Sequence, residues 1–404
     1  MWVTSIIPVL HLSCYVGTRK ILKKSVFNVS KVYVKDEPLQ KIVGGIFFRE
    51  EPGEEDKFFV QYNNIPIGFE VFQDRVFITV PRRRYGIAST LNYVDLKSTG
   101  PSSPLLKPYP DAGSISNFVS VYRPRVDACE RLWMVDTGLL EVPNNFVQKR
   151  PPQIIVYDLK TDKELLRYEI PSDCIINSFL ISGLTSITVD VIPSTCDDAY
   201  AYINDLARNG LIVFSLKQMS SWRFNHTSFV YDVGATDFVV AHQTINWRDG
   251  LFSIALSDPD ATGKRTAYYH PFISTLEFSV TNEYLQPIAK NTLNLEGVRG
   301  AFSQSGSHDF HSRTKTLLYA NVAQDSIMCW NTKVALTSKT AAAIAQSHSK
   351  LVYISDLKVI KDDVWVLVNQ IPTFIYSKFN ITEPNFFVHK GKVQDLIKGT
   401  VCEK

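Results

Sequence analysis

Arg131-Leu132-Trp133-Met134-Val135-Asp136, then a polar break, then Gln153-Ile154-Ile155-Val156-Tyr157-Asp158-Leu159: this pair of apolar, aromatic and β-branched runs decides how the chain is read. Such residues suit a pleated, buried surface, and short runs of them bounded by polar breaks are strands. The pair recurs. Upstream, Arg75-Val76-Phe77-Ile78-Thr79-Val80 leads to Thr90-Leu91-Asn92-Tyr93-Val94-Asp95-Leu96. Downstream, Ala199-Tyr200-Ala201-Tyr202-Ile203-Asn204 leads to Gly210-Leu211-Ile212-Val213-Phe214-Ser215, and Thr266-Ala267-Tyr268-Tyr269-His270 to Thr275-Leu276-Glu277-Phe278-Ser279-Val280. Leu317-Leu318-Tyr319-Ala320-Asn321 pairs with Ser326-Ile327-Met328-Cys329-Trp330, and Val364-Trp365-Val366-Leu367-Val368-Asn369 with Thr373-Phe374-Ile375-Tyr376-Ser377.

Anchored on Val76, Leu132, Ala201, Ala267, Leu317 and Val364, the six copies lie 56, 69, 66, 50 and 47 residues apart. That is near the length of one propeller blade and long for a solenoid turn. A further strand precedes several pairs, as in Ile67-Gly68-Phe69-Glu70-Val71 and Asp356-Leu357-Lys358-Val359-Ile360. A four-stranded sheet has two apolar faces that it cannot bury alone, and a ring of sheets covers both while leaving only short edges. The expected fold is all-β, a six-bladed β-propeller over residues 62–404.

Composition agrees with a large core: of 404 residues, 45% are hydrophobic and 21% charged. Basic residues number 43 and acidic ones 40, a net charge of +3 that supplies no concentrated basic surface for nucleic acid. Met1 to Val16 is mainly apolar, long enough for a signal-peptide core and too short to span a bilayer. Residues 1–17 are therefore read as a secretory signal, although Arg19, Lys20, Lys23 and Lys24 follow the apolar run instead of preceding it. Residues 18–61 are set apart as an N-terminal segment. Asn28, Asn225 and Asn380 each open an N-x-[ST] acceptor for glycosylation, which agrees with an extracellular protein.

Without Cys14, five cysteines remain: Cys129, Cys174, Cys196, Cys329 and Cys402. Two disulfides and one free thiol fit this number, and no CxxC pair suggests a zinc site. His308-Asp309-Phe310-His311 is read as a solvated loop, since a three-residue spacing on a strand would send the rings to opposite faces. Asp258-Pro259-Asp260-Ala261-Thr262-Gly263 is read as a turn, because Tyr269 stands where a calcium loop needs its bidentate Glu. The acidic run from Glu50 to Asp56 is read as a solvated loop. Serine-hydrolase elbows, phosphate loops and dinucleotide motifs are missing. No metal and no cofactor are expected.

Several short stretches carry a resemblance. Asn63-Asn64-Ile65-Pro66-Ile67-Gly68-Phe69, Val80-Pro81-Arg82 and Thr90-Leu91-Asn92-Tyr93 are followed by Ser103-Pro104-Leu105-Leu106, Pro108-Tyr109-Pro110 and Asp127-Ala128-Cys129. Leu132 to Gly138, Ala201 to Leu206, Tyr269-His270-Pro271, Ser303-Gln304-Ser305, Cys329-Trp330-Asn331 and Asp356-Leu357-Lys358-Val359 complete the series. In this order, over about Tyr62 to Cys402, they resemble the insect Yellow and major royal jelly proteins. Arg83 stands where Yellow proteins usually carry tryptophan. The resemblance implies disulfides Cys129–Cys196 and Cys329–Cys402, with Cys174 unpaired.

In a propeller, strand ends and the starts of neighbouring strands converge on one face near the axis. Asp136, Asn204, His270, Asn321 and Asn369 lie at such ends, and Ser355 begins the sixth blade. Each has a plainer reading as a turn former. The resemblance implies a monomer acting on or binding a catechol or indole-type molecule in melanin pigmentation of the cuticle, including dopachrome conversion. His270 with Asp136 is the expected acid–base pair, since a tautomerase needs both roles at one carbon. Ser355, Asn369, Asn204 and Asn321 are the expected ligand-binding residues. The alternative is a non-enzymatic protein that binds biogenic amines, as salivary relatives do through the sixth blade, or a storage protein. Ile371 replaces an aromatic residue of that amine site. A calcium-dependent lactonase is disfavoured for want of a carboxylate cluster.

Overall fold

In the computed structural model, residues 24–28, 59–97, 104–140, 146–175, 183–285, 293–378 and 380–403 are described. The expected signal, most of the N-terminal segment and the acidic run lie outside them. The strands form six four-stranded antiparallel sheets. From the axis outward, blade one holds Gly68–Phe72, Arg75–Thr79, Leu91–Asp95 and Lys107–Pro108, and blade two Arg125–Val126, Arg131–Asp136, Gln153–Asp158 and Lys163–Glu169. Blade three holds Leu184–Asp190, Tyr200–Asp205, Gly210–Ser215 and Ser220–Asn225, and blade four Leu251–Leu256, Thr266–Pro271, Leu276–Thr281 and Asn294–Val298. Blade five holds Ser305–His311, Thr316–Asn321, Ser326–Asn331 and Ala341–Gln346. Inner strands of successive blades touch all the way round, blade six against blade one included, so the ring is closed. The chain folds as a six-bladed β-propeller.

Alternation of side chains across each strand explains the ring. Leu132 and Met134 pack with Phe77 and Leu91 of blade one, while Trp133 and Val135 pack with Ile187 and Ile203 of blade three. Leu317 and Tyr319 face blade four, and Leu318 and Ala320 face blade six. Trp365 and Leu367 join Phe69, Val76 and Ile78 of blade one. Each fully buried leucine, isoleucine, valine, phenylalanine or methionine among them contributes about 1.5–3 kcal/mol.

Blade six departs from the sequence reading in two ways. Its strand Asp363–Val368 pairs with Phe387–Lys392, not with the run at Thr373. Residues Ile371–Tyr376 form a short helix with Pro372 in its first turn, where a missing N–H costs nothing. The fourth strand comes from the N-terminal segment: Lys24–Asn28 pairs antiparallel with Phe387–Lys392. The propeller thus begins before residue 62, because the last sheet takes its outer strand from the chain's start.

His308 and His311 are not in a loop. They lie in the buried inner strand Ser305–His311, with His308 bonded to Ser253 and His311 to Thr314. The stretch at Asp258 is a turn, in which Asp260 accepts the backbone N–H groups of Thr262 and Lys264. Disulfides join Cys129 to Cys196 and Cys329 to Cys402, and Cys174 is free and buried. The first ties the turn after the inner strand of blade two to its counterpart in blade three. The second ties the C-terminal segment to blade five.

Candidate functional site

Inner strands begin, and second strands end, at one face of the ring. A cavity of about 460 Å³ opens there, with walls from blades one, two, three, four and six. Its lining is largely aromatic and aliphatic: Tyr122, Phe252, Trp247, Tyr353, Ile371, Ile375 and Tyr376. Trp247 donates its indole N–H to the Tyr376 hydroxyl at 2.7 Å and meets Tyr353 edge to face at 6.0 Å. Tyr353 holds a left-handed backbone, φ 55°, which costs on the order of 1 kcal/mol or more in a residue other than glycine.

Three charged side chains line this apolar wall: Arg83, Arg123 and Asp249. Arg123 forms part of the floor. Its guanidinium donates twice to the Ser355 carbonyl and once to that of Thr185, and lies over the Phe252 ring at 4.6 Å. Gly68 permits this, because a Cβ there would come within 2.6 Å of the Arg123 Cα. Beneath it an ionic network fills the axis. Arg125 is bonded to Asp309 at 2.8 Å, Arg123 and Lys358 lie 4.0 and 3.8 Å from Asp356, and Glu70 lies 4.0 Å from Arg125. Burial raises Glu70 above the usual carboxyl range, while Arg125 overcomes burial and holds Asp309 below it.

Asp249 stands just before the inner strand of blade four, its backbone held by Ile273 N–H donating to its carbonyl at 3.1 Å. Its carboxylate makes no side-chain hydrogen bond or ion pair among the described residues. Burial pushes its pKa up to about 6, against the pull of Arg83 and Arg123. Burial likewise raises the phenols of Tyr122 and Tyr353, which stay neutral. The cavity therefore offers a carboxyl that titrates near neutrality, neutral phenols, and an arginine, Arg83, whose guanidinium has no hydrogen-bond partner among the described residues.

Of the six residues expected at this face, only Ser355 lines the cavity. Its hydroxyl donates to the Ile67 carbonyl at 2.7 Å. Asp136 accepts backbone N–H groups from Val119, Ser120 and Gly138, which makes it a turn former. Gly138, φ 65°, is required in that turn, since a Cβ would meet the Arg150 carbonyl oxygen at 2.0 Å. Asn204 donates to Leu251 O and accepts from Ser186, and Asn369 donates to Pro66 O while accepting from Ile371 N. Asn321 is buried, and its amide makes no hydrogen bond among the described residues. The cavity wall lies one to three residues further on, at Thr137 and Leu139, Leu206 and Ala207, and Ile371.

His270 is fully buried and apart from the cavity. Its Nε2 faces the Gly306 carbonyl at 2.9 Å and its Nδ1 faces Glu277 Oε2 at 2.9 Å. Two acceptors at one ring require a proton on each bond, so His270 and Glu277 share one between them, although burial alone would drive the imidazole to lose it. His270 and Asp136 are thus in different blades, each with its own structural partners, and do not form the expected pair. Ligand atoms of His270, Glu277 and His308 lie within 4.8 Å of one another, as in a small metal site. Arg299 argues against a cation, because its Nη1 donates to Glu277 Oε2 at 2.6 Å and already answers the carboxylate charge.

The sequence reading missed Asp249 and passed over Arg83 as only a departure from the usual tryptophan. The available signal for Asp249 was Trp247-Arg248-Asp249-Gly250 ahead of the apolar run Leu251–Leu256, a loop entering a strand.

The family model described as major royal jelly protein matches residues 119–402. L-dopachrome tautomerase yellow-f of Drosophila melanogaster is 40% identical over 360 residues, covering 85% of this chain and 83% of the relative. Dopaminechrome tautomerase of the same fly is 34% identical over 370 residues, covering 85% and 78%. Protein yellow of Drosophila melanogaster is 33% identical over 361 residues, covering 85% and 65%. A solved structure, virginiamycin B lyase of Staphylococcus aureus, aligns with TM-score 0.45 at 10% identity over 83% of this chain and 97% of that one, a likeness that carries no argument here. The family match over most of the propeller, joined to the identity with the fly proteins, makes this chain a member of the Yellow and major royal jelly protein family.

Proposed function

We propose that the chain is an extracellular isomerase of melanin pigmentation that rearranges an aminochrome, the quinone of an indoline ring, within the cavity. The observation that carries this is Asp249, a carboxyl with a pKa of about 6 on an aromatic-lined wall, with no hydrogen-bond partner for its side chain among the described residues. A general base serves best when its pKa lies near the working pH. Two protons leave the carbons of the five-membered ring and two arrive on the quinone oxygens, so the product is an isomer and no oxidant is consumed. Asp249 takes each carbon-bound proton in turn and returns it through solvent to a quinone oxygen, while Tyr353 and Tyr122, neutral phenols on the same cavity, donate hydrogen bonds to those oxygens. Trp247 and Phe252 supply flat apolar surface for the ring.

The names of the fly relatives, tautomerases of L-dopachrome and of dopaminechrome, support this substrate class. Secretion fits two disulfides and the exposed acceptor residues Asn225 and Asn380, whereas the side chain of Asn28 lies outside the described residues. Among the described residues no helix is long and apolar enough to cross a membrane. An amine binder is the second reading, because a carboxylate beside Trp247 and Tyr353 also suits an ammonium group. The test is decay of the aminochrome chromophore with purified protein, beside calorimetry with dopamine and serotonin. Turnover supports the isomerase; amine binding without turnover replaces it.

A further inference from the structure

Arg82, Arg83 and Arg84 are consecutive, and their surroundings differ. Arg82 is fully buried and donates to the carbonyls of Ile87, Ala88, Phe118 and Val119. Arg84 is exposed and lies over the Phe374 ring at 4.0 Å. Arg83 lies between them on the cavity wall, half-buried, with no side-chain hydrogen bond or ion pair among the described residues. The other arginine of the cavity is committed: Arg123 is bonded to Ser355 and Thr185 and close to Asp356. The charges that face Arg83 are Asp249 and Arg123, and no ion pair within bonding distance joins Arg83 to Asp249.

An uncommitted guanidinium in a partly desolvated, aromatic-walled cavity is a carboxylate receptor, since its fork of N–H donors matches two carboxylate oxygens. From this we infer that Arg83 selects substrates bearing a carboxylate beside the reacting carbon, and so sets L-dopachrome above its decarboxylated counterpart, dopaminechrome. The inference rests on the isomerase reading for its substrate. Arg83 anchors the carboxylate while Asp249, which lines the same cavity, takes the proton from the ring. The division of labour follows from the two groups lining one cavity with no ion pair between them.

A charge-assisted bond of this kind is worth about 1.5–3 kcal/mol, or roughly 10- to 150-fold in kcat/KM. The test compares wild type with Arg83→Gln and Arg83→Lys on L-dopachrome and on dopaminechrome. The expected result is a preference for L-dopachrome that falls at least tenfold in Arg83→Gln and is partly restored in Arg83→Lys. Equal losses on both substrates would overturn the inference while leaving the isomerase intact. Calorimetry with indole-2-carboxylate and with indole, neither of which reacts, separates the two ideas. If wild type turns over neither aminochrome but loses its preference for indole-2-carboxylate in Arg83→Gln, the carboxylate site stands and the isomerase fails. No preference for the carboxylate in wild type refutes the site outright.

Discussion

Changing Asp249 to asparagine keeps the shape of the side chain and removes both its charge and its ability to take a proton. Burial moves the carboxyl from 3.8 to about 6. At 1.36 kcal/mol per unit, that shift is a cost on the order of 3 kcal/mol for holding the ionised form in the fold. Because the group opens partly onto the cavity, about 1–3 kcal/mol is the realistic range. The sign follows from proton binding. Between the unfolded value near 4 and the folded value near 6, the folded state binds the proton more tightly, so stability falls as pH rises through that window. Asp249→Asn escapes the cost and should be the more stable protein at about pH 7.5, by about 1–3 kcal/mol, with the gain disappearing near pH 4. Its kcat/KM should fall by roughly 10²- to 10⁴-fold, the scale for losing a general base. Wild-type kcat/KM should climb with pH and level off above about 6. Initial rates of aminochrome decay across this range, with urea unfolding at both ends, measure all three. A variant retaining activity within about threefold, or a flat wild-type profile through pH 6, would remove Asp249 from the mechanism.

Glu277→Ala should destabilise the fold by about 3–5 kcal/mol in urea unfolding, because it strands Arg299 and His270 in a fully buried site; a loss under about 1 kcal/mol would show the cluster to be energetically idle. Non-reducing peptide mapping should recover Cys129 with Cys196 and Cys329 with Cys402, and Cys174 should react with alkylating reagents only after unfolding; a bridge from Cys174 to Cys196 would contradict the structure. Each disulfide closes a span of 67 or 73 residues, so its reduction should cost roughly 4 kcal/mol in the chain-entropy account. A chain starting at residue 59 should unfold at lower urea than one starting at residue 18 and should aggregate, since strand Phe387–Lys392 loses its partner; equal midpoints would show that Lys24–Asn28 adds nothing to closure.

The ring was legible because both faces of each blade are buried. Trp133 and Leu132 serve different interfaces, so the runs are apolar throughout, and that density shows in the sequence without any structure. Blade six was misread where local composition and tertiary pairing disagree. Thr373 to Tyr376 is as apolar and aromatic as a strand, yet Pro372 begins a helical turn and the true partner lies beyond it. The borrowed strand Lys24–Asn28 could not be found by repeat, since it is separated from its blade by most of the chain. The sequence reading pointed to this face of the ring, and of the six residues it named there only Ser355 lines the cavity. Asp136 and Asn369 mark strand ends because they bond loop N–H groups, and that same bonding turns them away from the cavity. Asp249 carries no motif; its character comes from Trp247, Tyr353 and the arginines around it.

Burial raises the Asp249 carboxyl, and the ionic network along the axis adds to that burial by filling the ring below it, although its member Arg123 pulls the other way. A six-bladed ring left open would run a water-filled channel past Asp249 and keep it near the value of an exposed aspartate. Here Arg123, Arg125 and Lys358 meet Glu70, Asp309 and Asp356, equal numbers of opposite charge drawn from blades one, two, five and six. Their mutual pairing makes the plug affordable in a buried setting, where unmatched charge would be expelled or neutralised. With the axis filled, the cavity ends on the Arg123 guanidinium and the Phe252 ring instead of on solvent. The charge of Arg123 is answered from below by Asp356, which leaves Arg83 and Asp249 as the two groups free to answer a ligand. One offers donors for an anion and the other an acceptor for a proton. A molecule that presents both a carboxylate and an acidic carbon–hydrogen bond matches that pair better than one that presents either alone.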